Sequence, residues 1–361
     1  MIYYWIPFLI SVFNCILKAN RINKILCKLI ILLMITLTAL RHESVGTDSI
    51  KYASGATGGF FTSHPTEFVS IFLMQLNANL GLSYTSYFTL FALITYIPTF
   101  FVLNKVLKCK LKYGILLFII GNNIYFLDSL NAIRQLAASS LFFFAYYILQ
   151  EYRSSVKKLL SVVVFIFAFG IHNSVGLVVP FVFLTYISLK PRTASRILLV
   201  CLIYSFVFSS FLDNSIVVAA LKFAELNFGI HDYSWYFQND KYDSGYNLIG
   251  LIPLLFLPSI VCSLVLKETY KTKYYKYSLM YFWGVVLLAI ISPLLAISVR
   301  ATQGLTFFEL LVIPIAISKM YPKIKAMIFS YFIVYSIYFG YLLLTLYSDP
   351  MQLGPYKFFF N

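Results

Sequence analysis

Three arginines stand where long apolar stretches give way to polar residues: Arg41, Arg134 and Arg300. A guanidinium at a membrane edge is costly unless it snorkels, pairs with an acid or serves a site. Snorkelling, or pairing with Glu43, Asp128 or Glu309, would account for any one of them. Three on one side of a membrane fit a shared anion better, because a planar fork of donors matches phosphate oxygens bidentately. A pyrophosphate is the natural ligand for such a set. Two groups that could move a proton accompany them. The run Arg41-His42-Glu43-Ser44-Val45-Gly46-Thr47-Asp48-Ser49-Ile50-Lys51-Tyr52 holds a cation, two carboxylates, a small-residue turn and an aromatic. Within it Asp48, beside an anchored cation, is the first candidate for a general base. The second is His172, on the short turn Gly170-Ile171-His172-Asn173-Ser174. That imidazole is either an ordinary interfacial polar residue or a proton relay from a sugar hydroxyl.

Other chemistries lack their residues. No G-x-x-x-x-G-K-[ST] phosphate loop, G-x-S-x-G elbow, H-E-x-x-H or D-x-D occurs, so no metal and no cofactor is expected. The five cysteines, Cys15, Cys27, Cys109, Cys201 and Cys262, form no C-x-x-C and read as reduced packing residues. Glu309 is an ionisable group inside an apolar run, which marks it for a functional role.

The elements that must position these residues are membrane helices. Of 361 residues 60% are hydrophobic and 11% charged, against about 25% charged in soluble domains, and the mean hydropathy is +0.83. Apolar runs near the length that crosses about 30 Å of hydrocarbon recur throughout. Runs such as Leu159 to Ala168 do not alternate in polarity, which excludes a barrel. The net charge of +15 does not mean nucleic acid. Of the 28 basic residues, 21 fall in six short clusters between apolar runs, starting at Lys18, Lys105, Arg153, Lys190, Lys267 and Lys319. The positive-inside rule makes these clusters cytoplasmic. Twelve spans are then expected, near 2–17, 25–40, 84–103, 113–127, 135–150, 159–171, 174–189, 197–212, 248–266, 277–297, 303–318 and 326–347. The first of these reads as a span rather than a cleaved signal. Segment 66–82 is expected at the outer interface or re-entrant. Both chain ends, the three arginines, Asp48 and His172 fall on the outer side, with outer loops near 41–66 and 213–247. One transmembrane domain over residues 1–361 is expected.

Several of these pieces resemble a known family. Arg41-x4-Gly46-Thr47-Asp48-x3-Tyr52 resembles the R-x-x-x-G-T-D-Y-x-x-Y stretch of EpsG/Wzy-type polysaccharide polymerases, with one extra residue and Ser49 in place of the first tyrosine. Asn131-x-Ile133-Arg134-Gln135-x-x-Ala138 is similar to that family's I-R-Q-x-x-A element, and His172-x-Ser174 to its H-x-S turn. Pro65-Thr66-Glu67-Phe68 is similar to an E-P-G-F element without aligning its Glu and Pro, and Gly354-Pro355-Tyr356-Lys357 to a Pro-Tyr tail. The resemblance implies a metal-independent membrane glycosyltransferase of GT-C-like architecture. It would polymerise undecaprenyl-pyrophosphate-linked oligosaccharide repeat units into O-antigen, capsule or exopolysaccharide on the outer face of the bacterial cytoplasmic membrane. It implies Asp48 and His172 as catalytic residues, and Arg41, Arg134, Arg300, Gln135 and Tyr52 as ligands of pyrophosphate or glycan. The partners implied are lipid-linked donor and acceptor glycans, the bilayer, and a chain-length regulator and flippase of the same pathway, with no nucleic acid. Two competing readings are a flippase, which would carry charge at the midplane and paired halves, and a membrane O-acyltransferase, which would bury its histidine deep in a span.

Overall fold

The computed structural model describes residues 2–59, 61, 66–121, 125–209, 255–292, 296–345 and 353–360. The expected outer loop 213–247 lies outside the described residues. Within them the chain is all-helical, with one isolated antiparallel bridge, Arg41 to Phe358. The helices are α1 (Ile2–Ile16), α2 (Asn20–Ala39), α3 (Ser49–Ala56), α4 (Phe68–Asn79), α5 (Tyr84–Leu107), α6 (Leu111–Ile120), α7 (Tyr125–Asn131) and α8 (Ile133–Glu151). They continue as α9 (Ser155–Ile171), α10 (Ser174–Leu184), α11 (Pro191–Ser209), α12 (Leu257–Thr269), α13 (Tyr275–Ile291), α14 (Ala296–Thr306), α15 (Glu309–Ile317) and α16 (Pro322–Thr345).

Among the described residues, three stretches are long and apolar enough to cross a membrane: Asn20–Ala39, Tyr84–Ile120 and Lys325–Thr345. The pair Val299–Thr306 and Glu309–Ile317, bent by 50°, would make a fourth. Tyr84–Ile120 is not one straight rod. The chain turns at Lys108 (φ 52°), and the Phe100 and Phe118 rings meet at 5.4 Å, so α5 and α6 lie side by side. Helix α4 has twelve residues, about 18 Å of rise, which is short of the hydrocarbon thickness.

Two expected spans are broken. The stretch 113–127 stops at Ile120, where Gly121 caps α6. A Cβ at Gly121 would sit 2.4 Å from Glu309 Oε1 and 2.5 Å from the Leu117 carbonyl oxygen, so only glycine fits this crossing. The stretch 303–318 bends at Phe307-Phe308. Those rings are inserted into the core, Phe308 meeting Phe143 at 5.0 Å and Tyr146 at 5.2 Å. Aromatic packing of this kind outweighs helix continuity at the bend.

The core centres on α8, which α5 and α9 flank. Small and hydroxylated residues let these helices approach, as in membrane bundles generally. Ser140 Oγ donates to the Thr95 carbonyl at 2.7 Å, and Ser161 Oγ to the Ala145 carbonyl at 2.7 Å. The outer helices instead present apolar side chains outward, among them Ile166 (55% exposed), Val200 (65%) and Ile337 (67%). Such surface is stable only against lipid or another apolar partner.

Contacts sort the ends of the bundle. Lys112 Nζ donates to the carbonyls of Cys15 (3.0 Å) and Leu17 (2.7 Å), capping the last turn of α1. Lys110 Nζ reaches Ser318 Oγ at 2.6 Å, Lys273 reaches Glu151 at 3.4 Å, and the Tyr275 hydroxyl donates to the Leu189 carbonyl. Lys319 Nζ, 6.0 Å from the Tyr274 ring, joins these contacts, so all six basic clusters share one end. At the opposite end the Tyr4 hydroxyl donates to the Leu353 carbonyl (2.6 Å) and the Tyr356 hydroxyl to the Leu37 carbonyl (2.7 Å). His42 N–H donates to the Lys357 carbonyl (2.9 Å), so the tail segment lies beside Arg41.

Candidate functional site

The sequence places the glycine-threonine-aspartate turn and the arginine-glutamine stretch far apart, and the fold fuses them. Gly46 adopts φ +94°, and a Cβ there would meet the Leu130 carbonyl oxygen at 2.6 Å. That close approach lets Thr47 Oγ1 (3.0 Å) and the Asp48 N–H (3.2 Å) both donate to Asn131 Oδ1. Ser49 Oγ adds a bond to the Leu130 carbonyl at 3.2 Å. One side chain, Asn131, thus fixes where Asp48 begins α3. The half-buried Asp48 carboxylate acts electrostatically on the Tyr52 phenol four residues on.

Arg134, in the first turn of α8, faces α4. Its Nη1 donates to Glu67 Oε2 at 2.5 Å, in a pair whose side chains are 12% and 6% exposed. Tyr52 and Phe61 cover the guanidinium, with ring centroids 5.1 and 5.0 Å away. Arg134 Nε has no hydrogen-bond partner among the described residues, so one buried donor is left over there. Beyond Glu67 stands the turn between α9 and α10. The Asn173 N–H donates weakly to Glu67 Oε1 at 3.5 Å, and His172 Nε2 lies 3.8 Å from the same oxygen.

The hydrogen bonds of His172 decide its tautomer. The Ser174 N–H donates to Nδ1 at 3.2 Å, and the Ser174 hydroxyl is 2.9 Å from that nitrogen. A nitrogen that accepts a backbone N–H carries no proton, so the neutral ring holds its proton on Nε2, toward Glu67. Burial is the main cause that lowers the imidazole from 6.5 to about 4. Glu67 opposes the shift, while Arg134 and Arg300 add to it. His172 is therefore a neutral hydrogen-bond donor and not a free base.

Arg300, on α14, acts electrostatically on Asp128, Tyr52 and His172. Its carbonyl accepts from Gln135 Nε2 at 2.5 Å, and Gln303 Nε2, one turn on, donates to Asp128 Oδ2 at 2.6 Å. Helix α14 is thereby clamped to α7 and α8 at the height of Arg134.

Of the residues expected at a site, the fold brings together Tyr52, Arg134, His172 and Arg300, with Asp48 beside Tyr52. Gln135 is 4% exposed and serves as the α8–α14 clamp. Arg41 stands apart, with no exposed surface. Its Nη1 donates to the Thr38 carbonyl, its Nε (3.3 Å) and Nη2 (3.2 Å) to Ser49 Oγ, and Phe88 lies 3.9 Å beneath it. Burial lowers this guanidinium to about 10, with Tyr356 and Tyr4 opposing, so it stays charged at neutral pH. Its contacts hold α2 to α3 and α5 and leave no fork for a ligand. Glu67, Asn131, Asp128 and Gln303 complete the cluster. Glu67 and Asn131 stood inside the quoted family-like stretches without a role of their own, and Asp128 and Gln303 carried no motif. The cluster lies at the end of α8 opposite Glu151 and the basic residues.

A family model described as the EpsG family matches residues 24–358. No curated protein matches the chain, and no solved structure does.

Proposed function

The chain belongs to the EpsG family, and on that premise we propose that it is a membrane glycosyltransferase that polymerises lipid-linked oligosaccharide repeat units. Its substrates on this reading are undecaprenyl-pyrophosphate-linked glycans, one as donor and one as acceptor. The product is O-antigen, capsule or exopolysaccharide. The reaction takes place at the outer face of the cytoplasmic membrane, in a twelve-span bundle of GT-C-like architecture, and a flippase and a chain-length regulator work beside it. The carrying observation is the cluster of Arg134, Glu67, His172 and Arg300 at the end of the bundle away from the basic residues.

The chemistry follows from the residues. The acceptor hydroxyl loses its proton to Asp48 as its oxygen bonds the donor's anomeric carbon. The bond from that carbon to the pyrophosphate oxygen breaks, and the lipid pyrophosphate leaves with the electron pair. Arg300 and the Nε–H of Arg134, which has no partner among the described residues, offset the charge that develops there, which is where preorganised donors contribute most. Two guanidinium groups supply the neutralisation a divalent metal supplies in other transferases. Asp48 is the better base than Glu67, because Glu67 is already engaged by Arg134 and faces the His172 N–H. Tyr52 offers a sugar the edge of a ring already fixed against Arg134.

The test is glycan profiling on gels with matched membrane levels of each variant. Asp48→Asn is expected to stop chain growth and accumulate single repeat units, and Arg300→Lys to shorten the ladder, since a point charge does not reproduce the bidentate fork. A normal ladder from Asp48→Asn removes Asp48 as base. One observation favours transport of the same substrate: Glu309 is fully buried at the 50° bend, bound by the Tyr331 hydroxyl at 3.0 Å. Polymer formed by the purified protein from lipid-linked units in detergent, where no transport is possible, rejects that alternative.

A further inference from the structure

At the basic end, α11 and α12 enclose an open cavity of about 810 Å3. Lys190, Arg192 and Arg196 enter it from the start of α11, and Lys267 from α12. Ser195 and Ser263 meet across it, hydroxyl to hydroxyl, at 2.6 Å. No carboxylate is among the described residues that line it. Three other cations at this end are engaged by the protein: Lys110 by Ser318, Lys112 by two carbonyls, Lys273 by Glu151. The orientation rule explains why basic residues gather here. It does not explain why four from two helices converge on one concavity, where like charges repel unless an anion sits between them.

The surface above the cavity identifies the kind of anion. Residues three and four apart share a helix face, so the face of Arg192 and Arg196 continues as Leu199, Val200 and Ile203, exposed by 58%, 65% and 56%. On α12, Leu264 lines the cavity and Ile260, one turn further, is 46% exposed. A cationic mouth that opens onto an apolar track fits an amphiphile and not a soluble ion. We propose that this cavity holds the phosphate headgroup of an anionic phospholipid from the adjoining leaflet, with its acyl chains along α11.

The experiment uses the full chain, delipidated in detergent and offered phosphatidylglycerol or phosphatidylcholine, with retained lipid counted by native mass spectrometry. Wild type is expected to retain phosphatidylglycerol about tenfold over phosphatidylcholine. Arg192→Gln/Arg196→Gln should fall to the phosphatidylcholine level, and Lys267→Gln, a milder change, partway. Lys24→Gln/Lys28→Gln removes the same charge from another basic cluster and should retain the lipid. Added inorganic phosphate should not displace it. Equal retention of both lipids overturns the proposal, as does unchanged retention by the cavity variants. Equal loss in the Lys24/Lys28 control assigns the effect to surface charge and also overturns it. Displacement by inorganic phosphate makes the site one for free phosphate and refutes the lipid assignment.

Discussion

Replacing Glu67 by Gln probes the ion pair that organises the site. The side chains of Glu67 and Arg134 are 6% and 12% exposed, so solvent screens them little. Removing one partner of a buried pair costs roughly 3–5 kcal/mol, because the remaining charge is left uncompensated. Arg134 would keep a long contact to Ser70 Oγ at 3.5 Å and the rings of Tyr52 and Phe61. Cation–π contacts of this kind are worth about 1–2 kcal/mol and survive the change, which puts the loss at the low end, about 3 kcal/mol. One kcal/mol moves a melting midpoint by roughly 2–4 °C in a 150–250-residue domain and by less in a longer chain, so a fall of about 3–6 °C is expected. Thermal unfolding of purified protein in detergent reads it, with Glu67→Gln/Arg134→Met as the double mutant. Replacing both charges should restore most of the midpoint, yet yield no polymer, because the phosphate donor has gone. A Glu67→Gln midpoint within about 1 °C of wild type, or a double mutant that simply adds the two losses, would refute the buried pair as the organiser.

Further outcomes follow from the same geometry. His172 is lowered from 6.5 to about 4, so its charged form is disfavoured in the fold. Stability is complete above pH 6.5 and falls as pH drops toward 4, by about 3 kcal/mol for a shift of this size. His172→Gln should flatten that acid limb, and an unchanged slope would exclude the histidine as its source. Arg41→Lys loses the fork that joins Thr38 and Ser49, so the yield of folded protein should drop, at a cost of roughly 2–4 kcal/mol. Polymer made per folded molecule should hold, and a well-folded but inactive variant would return Arg41 to the site. Reporter fusions after Lys112 and after Tyr356 should give opposite compartment signals, since the two lie at opposite ends of the bundle. Matching signals would break the topology.

Helical class, membrane character and the sorting of charge were legible in the sequence because each depends on local composition. A span needs a run of apolar residues and a charged end needs basic clusters, and both are contiguous in the chain. The motif residues were legible too, but not their division of labour. Arg41 and Arg134 look alike as arginines at the ends of apolar runs. One is sealed under Phe88 and bound to a backbone carbonyl, while the other faces a carboxylate with a donor to spare. His172 reads as a base until Ser174 is seen to occupy Nδ1. Glu67 could not be assigned, because its meaning lies in Arg134 and His172, 67 and about 105 residues away in sequence. The helix breaks at Gly121 and Phe308 were hidden for the same reason, since each depends on packing against another element: Glu309 over Gly121, and Phe143 and Tyr146 around Phe308. Local patterns determine which segments form apolar helices and where the basic residues gather. Which polar groups remain free for a substrate is decided only when distant helices pack, because a buried hydrogen-bonding group is claimed by whatever partner the fold brings within about 3 Å.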